Sequence, residues 1–232
     1  MLGALVQARM NSKRFPGKVL HRVQGKPLLQ YLLESLSQCG SLEKVVVATS
    51  VEHSDDPVVM FCTDFGVDYF RGPLDDVAKR FLDAAEANGL DAFVRISGDS
   101  PLLDYRLVDR AVKMFRSGNY DLVTNVLWRT YPRGQSLEVV CVETLKRVYP
   151  LFLSDAEWEH VTPYFYAHRD QFSICSFESG GDYGSVHLSV DTPEEMQRFE
   201  SILAFMERPH WEYTCEELLN LFPHLLHSID RT

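Results

Sequence analysis

A chain of 232 residues, 45% hydrophobic and 24% charged, has enough apolar material for one sizeable core without disulfide or metal staples. Its formal charge of −10 excludes general nucleic-acid or anionic-membrane binding, yet residues 1–33 hold six Lys or Arg and no acid, leaving −16 on the rest. Five widely spaced cysteines without a Cys-x-x-Cys pair read as reduced core thiols of a cytoplasmic protein, and the apolar start MLGALV is too short for a signal peptide.

The run LGALVQA predicts a first, buried strand. It passes directly into QARMNSKRFPGKVL, Gln7 to Leu20, which gathers Arg9, Lys13, Arg14 and Lys18 around a Pro16-Gly17 turn. At the end of a strand these cations suit a compact polyanion: Gly17 lets the backbone approach a phosphate, Arg9 and Arg14 offer planar forks, and Lys18 is a point charge. The stretch is not the common phosphate loop, which needs a second glycine where Ser12 stands and a hydroxyl residue where Val19 stands. A plain solvated basic loop is the other reading of the same charge.

Helical and strand patterns then alternate: PLLQYLLESLSQC with Pro27 in its first turn, KVVVATS, DPVVMFCTDFG, VDYF, LDDVAKRFLDAAEANG starting at Asp75 or Asp76, AFVRIS, YRLVDRAVKMFRSG and DLVTNV. Such alternation predicts an α/β domain with a mixed, mostly parallel sheet flanked by helices, whose ligand crevice lies at the strand ends. VRISGDSPLLD places Asp99 at that edge, either as an oxygen ligand for Mg²⁺ or as the cap of a helix after Pro101. Ser100 is not read as a nucleophile, because no Asp-x-x-His exists to complete a Gly-Asp-Ser hydrolase.

Residues 1–232 are expected to form a single domain, with an inserted section over about 127–185. Within and beyond it the patterns predict a strand at SLEVVCV, one helix across AEWEHVTPYFYAH, strands at FSICSF and VHLSV, and helices from Pro193 and Thr214. Trp158, Tyr164, Phe165 and Tyr166 form an aromatic stripe that belongs to core or interface, and the His168-Arg169-Asp170 triplet is a chance match to a kinase loop. HLSVDTPEEM brings a second carboxylate, Asp191, to a predicted strand end, again as ligand or helix cap. Two carboxylates opposite a basic glycine turn suggest a Mg²⁺-triphosphate site.

Taken in order and spacing, QARMNSKRFPGKVL, ISGDSPLLD, SVDTPEE, YPRGQSLEVV and EWEHVTPYFY resemble the cytidylyltransferases that activate sugar acids, of the acylneuraminate and 3-deoxy-manno-octulosonate type. The nearest resemblance is to the spore coat polysaccharide biosynthesis F branch. It implies a nucleotidyltransferase of GT-A-like fold that transfers CMP from CTP to an acidic sugar and releases pyrophosphate, with Mg²⁺ as cofactor. Carried onto this chain, Arg9, Lys18 and Asp99 are the catalytic set and Asp99 with Asp191 holds the metal. The nucleotide lies among Ala8, Arg9, Ser12, Arg14, Gly17, Lys18, Thr49, Asp76 and Gly98. The inserted section completes an acceptor site, with Arg133, Glu138, His160 and Tyr164 as candidates, and makes a homodimer. The branch carries Asp where this chain has Arg133 and Ser136, and Arg where it has Trp158, so the departures fall in the acceptor half. A GT-A glycosyltransferase using a nucleotide sugar and a non-catalytic nucleotide-binding relative are the alternatives.

Overall fold

The computed structural model describes residues 1–222. The first apolar run forms β1 (Leu2–Gln7), and the basic loop after it closes in a short 3-10 turn at Lys18–Leu20. A small hairpin, β2 (Arg22–Val23) and β3 (Lys26–Pro27), leads into α1 (Leu28–Leu36), with Pro27 one residue before the first turn, at the N-cap in extended conformation, rather than in that turn as expected. Next come β4 (Lys44–Ser50), α2 (Asp56–Phe65), β5 (Asp68–Gly72), α3 (Val77–Ala87) and β6 (Ala92–Ser97), in the alternation the periodicity predicts. Then follow α4 (Tyr105–Arg116), β7 (Leu122–Thr124), β8 (Glu138–Cys141), α5 (Val142–Val148), α6 (Asp155–His160) and α7 (Pro163–Ala167). The chain continues through β9 (Ile174–Ser176), α8 (Pro193–Ala204) and α9 (Cys215–Leu221).

Seven strands make one sheet in the order β5-β4-β1-β6-β8-β7-β9. All neighbours are parallel except β8, which runs antiparallel to β6 and β7. Strands covered on both faces read as continuous apolar runs, which is why LGALV and KVVVA lack alternation. On one face Val6, Val47 and Ile96 pack with Leu29, Leu32, Val58 and Val108. On the other, Leu5, Val46 and Phe93 pack with Ala78, Phe81, Leu145 and Phe165. A third cluster joins Leu28 and Tyr31 to Phe199 and Ile202, seating α8 against α1. The aromatic stripe belongs to the second cluster, so it is core. All five cysteines are free, and burial pushes the Cys62 and Cys215 thiols up to about 12, as expected of inert core thiols. No helix among the described residues is long and apolar enough to cross a membrane.

Two further expectations are corrected. The single helix across AEWEHVTPYFYAH is two, α6 and α7, broken at Val161, whose φ is +69°. Pro163 cannot donate to the carbonyl four residues back and crowds it, so the helix must stop and restart with Pro163 in a first turn. VHLSV is not a strand: it makes one isolated bridge, His187 beside Arg133, and the ladder ends where Gly134 turns away at φ +93°.

Candidate active site

β1 sits between β4 and β6 with Gln7 level with Ala48 and Ser97, and a cleft of about 820 Å³ opens over these strand ends. Gly98 allows the closest approach there. A Cβ at Gly98 would lie 2.8 Å from the Gln7 carbonyl oxygen, so glycine is what lets β6 deliver Asp99 to the cleft beside β1. Across the cleft Gly17, at φ +76°, turns the basic loop back so that its N–H donates to the Met10 carbonyl at 2.8 Å and Lys18 points inward.

Lys18 is the centre of the arrangement. Its Nζ donates to Asp99 Oδ2 at 2.6 Å and to Asp191 Oδ1 at 2.7 Å, and the residue is only 6% exposed. Lys18 is thus not a solvated charge, while Asn11, Lys13, Arg14 and Pro16 of the same loop are exposed. Arg14 pairs with the other Asp191 oxygen at 2.9 Å, and Arg9 Nη2 donates to Glu159 Oε1 at 2.9 Å. Each of these three cations is therefore balanced by a carboxylate that a polyanion would have to displace or share. Burial alone pushes the Asp191 carboxyl up, but Lys18 and Arg14 outweigh it and hold the group below the ordinary carboxylate range.

Neither carboxylate serves as a helix cap. Asp104 caps α4, accepting from the Arg106 N–H, and Thr192 with Glu195 forms a capping box on α8. Asp191 reaches Asp99 because the Val190 N–H donates to the Asp99 carbonyl at 2.8 Å, tying the two segments together although no strand runs there. Two carboxylates sharing one buried ammonium form an oxygen donor set that fits Mg²⁺, which takes one or two carboxylates and completes its shell with substrate phosphates and water. Among the described residues no group of three or more His, Cys, Asp or Glu side chains is placed to hold a metal ion.

Beside the cleft lies a second network. Arg95 lines the cleft and donates to Glu138 Oε2 at 2.7 Å, while Glu138 Oε1 accepts from Thr162 Oγ1 and Tyr166 Oη, each at 2.6 Å. Glu138 is buried, and burial together with the nearby Glu138 charge pushes the Tyr166 phenol far up, so it stays a donor. Arg129 donates to Ser136 Oγ at 3.1 Å, and burial followed by repulsion from Arg133 lowers its pKa.

The residues expected in the site separate clearly. Arg9, Ser12, Arg14, Lys18, Asp99, His160 and Asp191 line the cleft. Ala8, Gly17 and Gly98 shape it through the backbone. Thr49 is fully buried, on the face of β4 that Val45 and Val47 share with the first core cluster. Asp76 is occupied as the α3 cap and as acceptor for Tyr149 Oη at 2.6 Å, and its neighbour Asp75 lines the cleft instead. Tyr164 stacks on His168 with ring centroids 4.2 Å apart, away from the cleft, and Arg133 is exposed beside Val186. Sequence reasoning missed Arg95, Ser97, Asp155 and Glu159. For Arg95 a signal existed: one charge inside the apolar strand AFVRIS, two residues before the strand end and on the same face as Ser97.

A crevice at the ends of parallel strands, with a basic loop facing a carboxylate pair, defines a nucleotide-handling α/β transferase. The sequence model of the cytidylyltransferases matches residues 3–217, and the chain belongs to that family; it is a nucleotidyltransferase. It is 30% identical to the spore coat polysaccharide biosynthesis protein SpsF of Bacillus subtilis, over 94% of this chain and 92% of that protein. It is 33% identical to the 8-amino-3,8-dideoxy-manno-octulosonate cytidylyltransferase of Shewanella amazonensis, over 86% and 97%. The solved structure of a cytidylyltransferase from Leptospira borgpetersenii superposes with a TM-score of 0.93 at 29% identity, covering 100% of this chain and 98% of that one.

Proposed function

We propose that the chain transfers CMP from CTP to an acidic sugar of the nonulosonic or octulosonic type, releasing pyrophosphate, in surface polysaccharide biosynthesis. The observation that carries this reading is the Lys18 ammonium held between Asp99 and Asp191 at the mouth of a loop rich in arginine. In the proposed cycle Arg9 and Arg14 leave Glu159 and Asp191 for triphosphate oxygens, and Lys18 neutralises charge building on the bridging oxygen as pyrophosphate departs. Asp99 and Asp191 would hold Mg²⁺, which supplies a Lewis acid for the phosphates and lowers the barrier to deprotonating the attacking hydroxyl. The protein mainly positions the reactants, so no dedicated side-chain base is required.

We propose that the acceptor binds next to Arg95 and His160, on the side of the cleft that Asp155 and Glu159 also line. A homodimer is proposed through the inserted section, where Trp128, Leu151 and Leu153 are exposed apolar side chains. The test is pyrophosphate release from CTP with Mg²⁺ across a panel of sugar acids. Release with one or more acids and none with the corresponding neutral sugars is expected; release with neutral sugars alone, or a requirement for a nucleotide sugar, would overturn the reading.

A further inference from the structure

The turn after β4 holds a buried acid that takes no part in lining the cleft. Asp55 is 0% exposed and stands at the N-cap of α2, where an Asp ordinarily accepts from its own helix, yet its side chain makes no such bond. Its oxygens turn the other way. Oδ1 accepts the Met10 N–H of the basic loop at 2.7 Å, and Oδ2 accepts the Ser50 N–H at 3.1 Å and the Ser50 hydroxyl. A carboxylate taken wholly out of water onto uncharged donors is costly, so its placement needs a reason.

Met10 supplies one. Its N–H goes to Asp55, and its carbonyl accepts the Gly17 N–H at 2.8 Å and the Ser12 N–H at 3.0 Å, so the basic loop closes on this residue. Arg9 directly precedes Met10 and Lys18 directly follows Gly17, which sets these two cations on either side of one fixed point. A second tie joins the same segments: Asn11 Nδ2 donates to Ser54 Oγ at 3.0 Å. The turn that carries Asp55 is itself held, because Arg71 of β5 commits all three of its nitrogens there. Nε donates to the Ser50 carbonyl and Nη2 to the Glu52 carbonyl, each at 2.9 Å, and Nη1 pairs with Asp56 at 2.7 Å. A chain of bonds thus runs from β5 through this turn to the backbone of the basic loop.

We propose that Asp55 is the positioning residue of the triphosphate loop: through the Met10 N–H it fixes where Arg9 and Lys18 stand, without meeting the ligand itself. A carboxylate suits the task because it offers two acceptor oxygens and no donor, whereas an amide would set an N–H against that of Ser50. Anchoring the loop by its backbone also leaves Arg9, Arg14 and Lys18 out of the anchor. They can turn to phosphate while the loop keeps its shape.

This inference rests on the proposed triphosphate site, and the experiment separates the two. Inorganic tripolyphosphate, which lacks base and sugar, probes the loop alone. Its dissociation constant is measured by calorimetry on wild type, Asp55→Ala and Asp55→Asn, below the unfolding midpoint of each. Asp55→Ala is expected to bind about tenfold more weakly, the scale of one lost bond to a charged group. Asp55→Asn, whose remaining oxygen still accepts from Met10, is expected to recover most of that loss. A residue that only stabilised the fold would lower the midpoint in both variants without this order of affinities. Equal affinity in wild type and folded Asp55→Ala overturns the proposal. Amide hydrogen exchange on the unliganded wild type tests it without any variant: the Met10 N–H is expected to exchange at least about tenfold more slowly than those of the exposed Asn11 and Lys13. Exchange as fast as theirs also overturns it. If wild type binds neither tripolyphosphate nor CTP, the triphosphate reading itself has failed, and the role of Asp55 with it.

Discussion

The basic loop lines the cleft and the Glu138 network lies beside it, joined to it through Arg95, and the two are built on opposite principles. Around Lys18, itself buried, the outer cations pair with carboxylates in partly exposed positions, Arg14 at 65% with Asp191 at 29% and Arg9 at 28% with Glu159 at 32% of the side chain. Such pairs exchange partners cheaply, which is what a site that must take up a triphosphate needs. Around Glu138 every carboxylate oxygen is fixed by donors in a buried place, and moving any of them strands a charge. One half is made to be rearranged by its ligand; the other is made to hold a shape.

The largest effect expected from this contrast is on turnover. Asp99→Ala and Lys18→Ala should each lower the rate about 10²- to 10³-fold or more while leaving the protein folded, since each removes one preorganised electrostatic partner of the reacting phosphates. Near-normal turnover in either variant, in a pyrophosphate assay, would erase the distinction. Glu138→Ala should do the reverse: cost about 3 kcal/mol in urea unfolding, because Arg95, Thr162 and Tyr166 lose their common acceptor, with the dissociation constant for CTP little changed. A Glu138 variant that loses CTP binding but not stability would show the network to be part of the nucleotide site.

Smaller effects sharpen the comparison. Arg9 and Glu159 are 28% and 32% exposed, a pair worth about 0.2–1 kcal/mol, so Glu159→Gln should free Arg9 and raise CTP affinity by up to about fivefold, read by calorimetry. Weaker binding would mean that Glu159 supports the nucleotide rather than holding its place. The pH response is smaller still. Because Lys18 and Arg14 hold Asp191 below its ordinary range despite burial, its contribution to stability is complete above about pH 4 and is lost as pH falls through its depressed value. Thermal unfolding in acid should be less steep in pH for Asp191→Asn than for wild type.

The same contrast explains what could be read from the sequence. That the basic loop and the two carboxylates meet at one cleft was legible because Arg9, Arg14, Gly17 and Lys18 fall in one short stretch directly after a strand, and because Asp99 and Asp191 each close a short motif. The parallel alternation up to β6 was legible for the same local reasons. Contacts across the cleft were not: Glu159 meets Arg9 only through the packing of α6, and no pattern within EWEH signals it. Val161 could not be foreseen as a helix break of positive φ, although Pro163 two residues on was a warning. Asp76 gives way to Asp75 because one residue of register at a helix start changes which side chain meets the cleft, and Thr49 is buried on a face of β4 that packs into the core, both set by tertiary packing.

The most direct test of the central claim, that the Lys18–Asp99–Asp191 cluster is a metal-assisted triphosphate cradle, is thermal unfolding with CTP in the presence and absence of Mg²⁺, on wild type and Asp99→Asn. A ligand at 100 times its dissociation constant stabilises by about 2.7 kcal/mol, and each kcal/mol moves the midpoint of a chain this size by roughly 2 to 4 °C. The account predicts a clear CTP shift that Mg²⁺ enlarges in wild type and no longer enlarges in Asp99→Asn. A CTP shift indifferent to both Mg²⁺ and Asp99, or a shift with UDP-sugars and none with CTP, would contradict it.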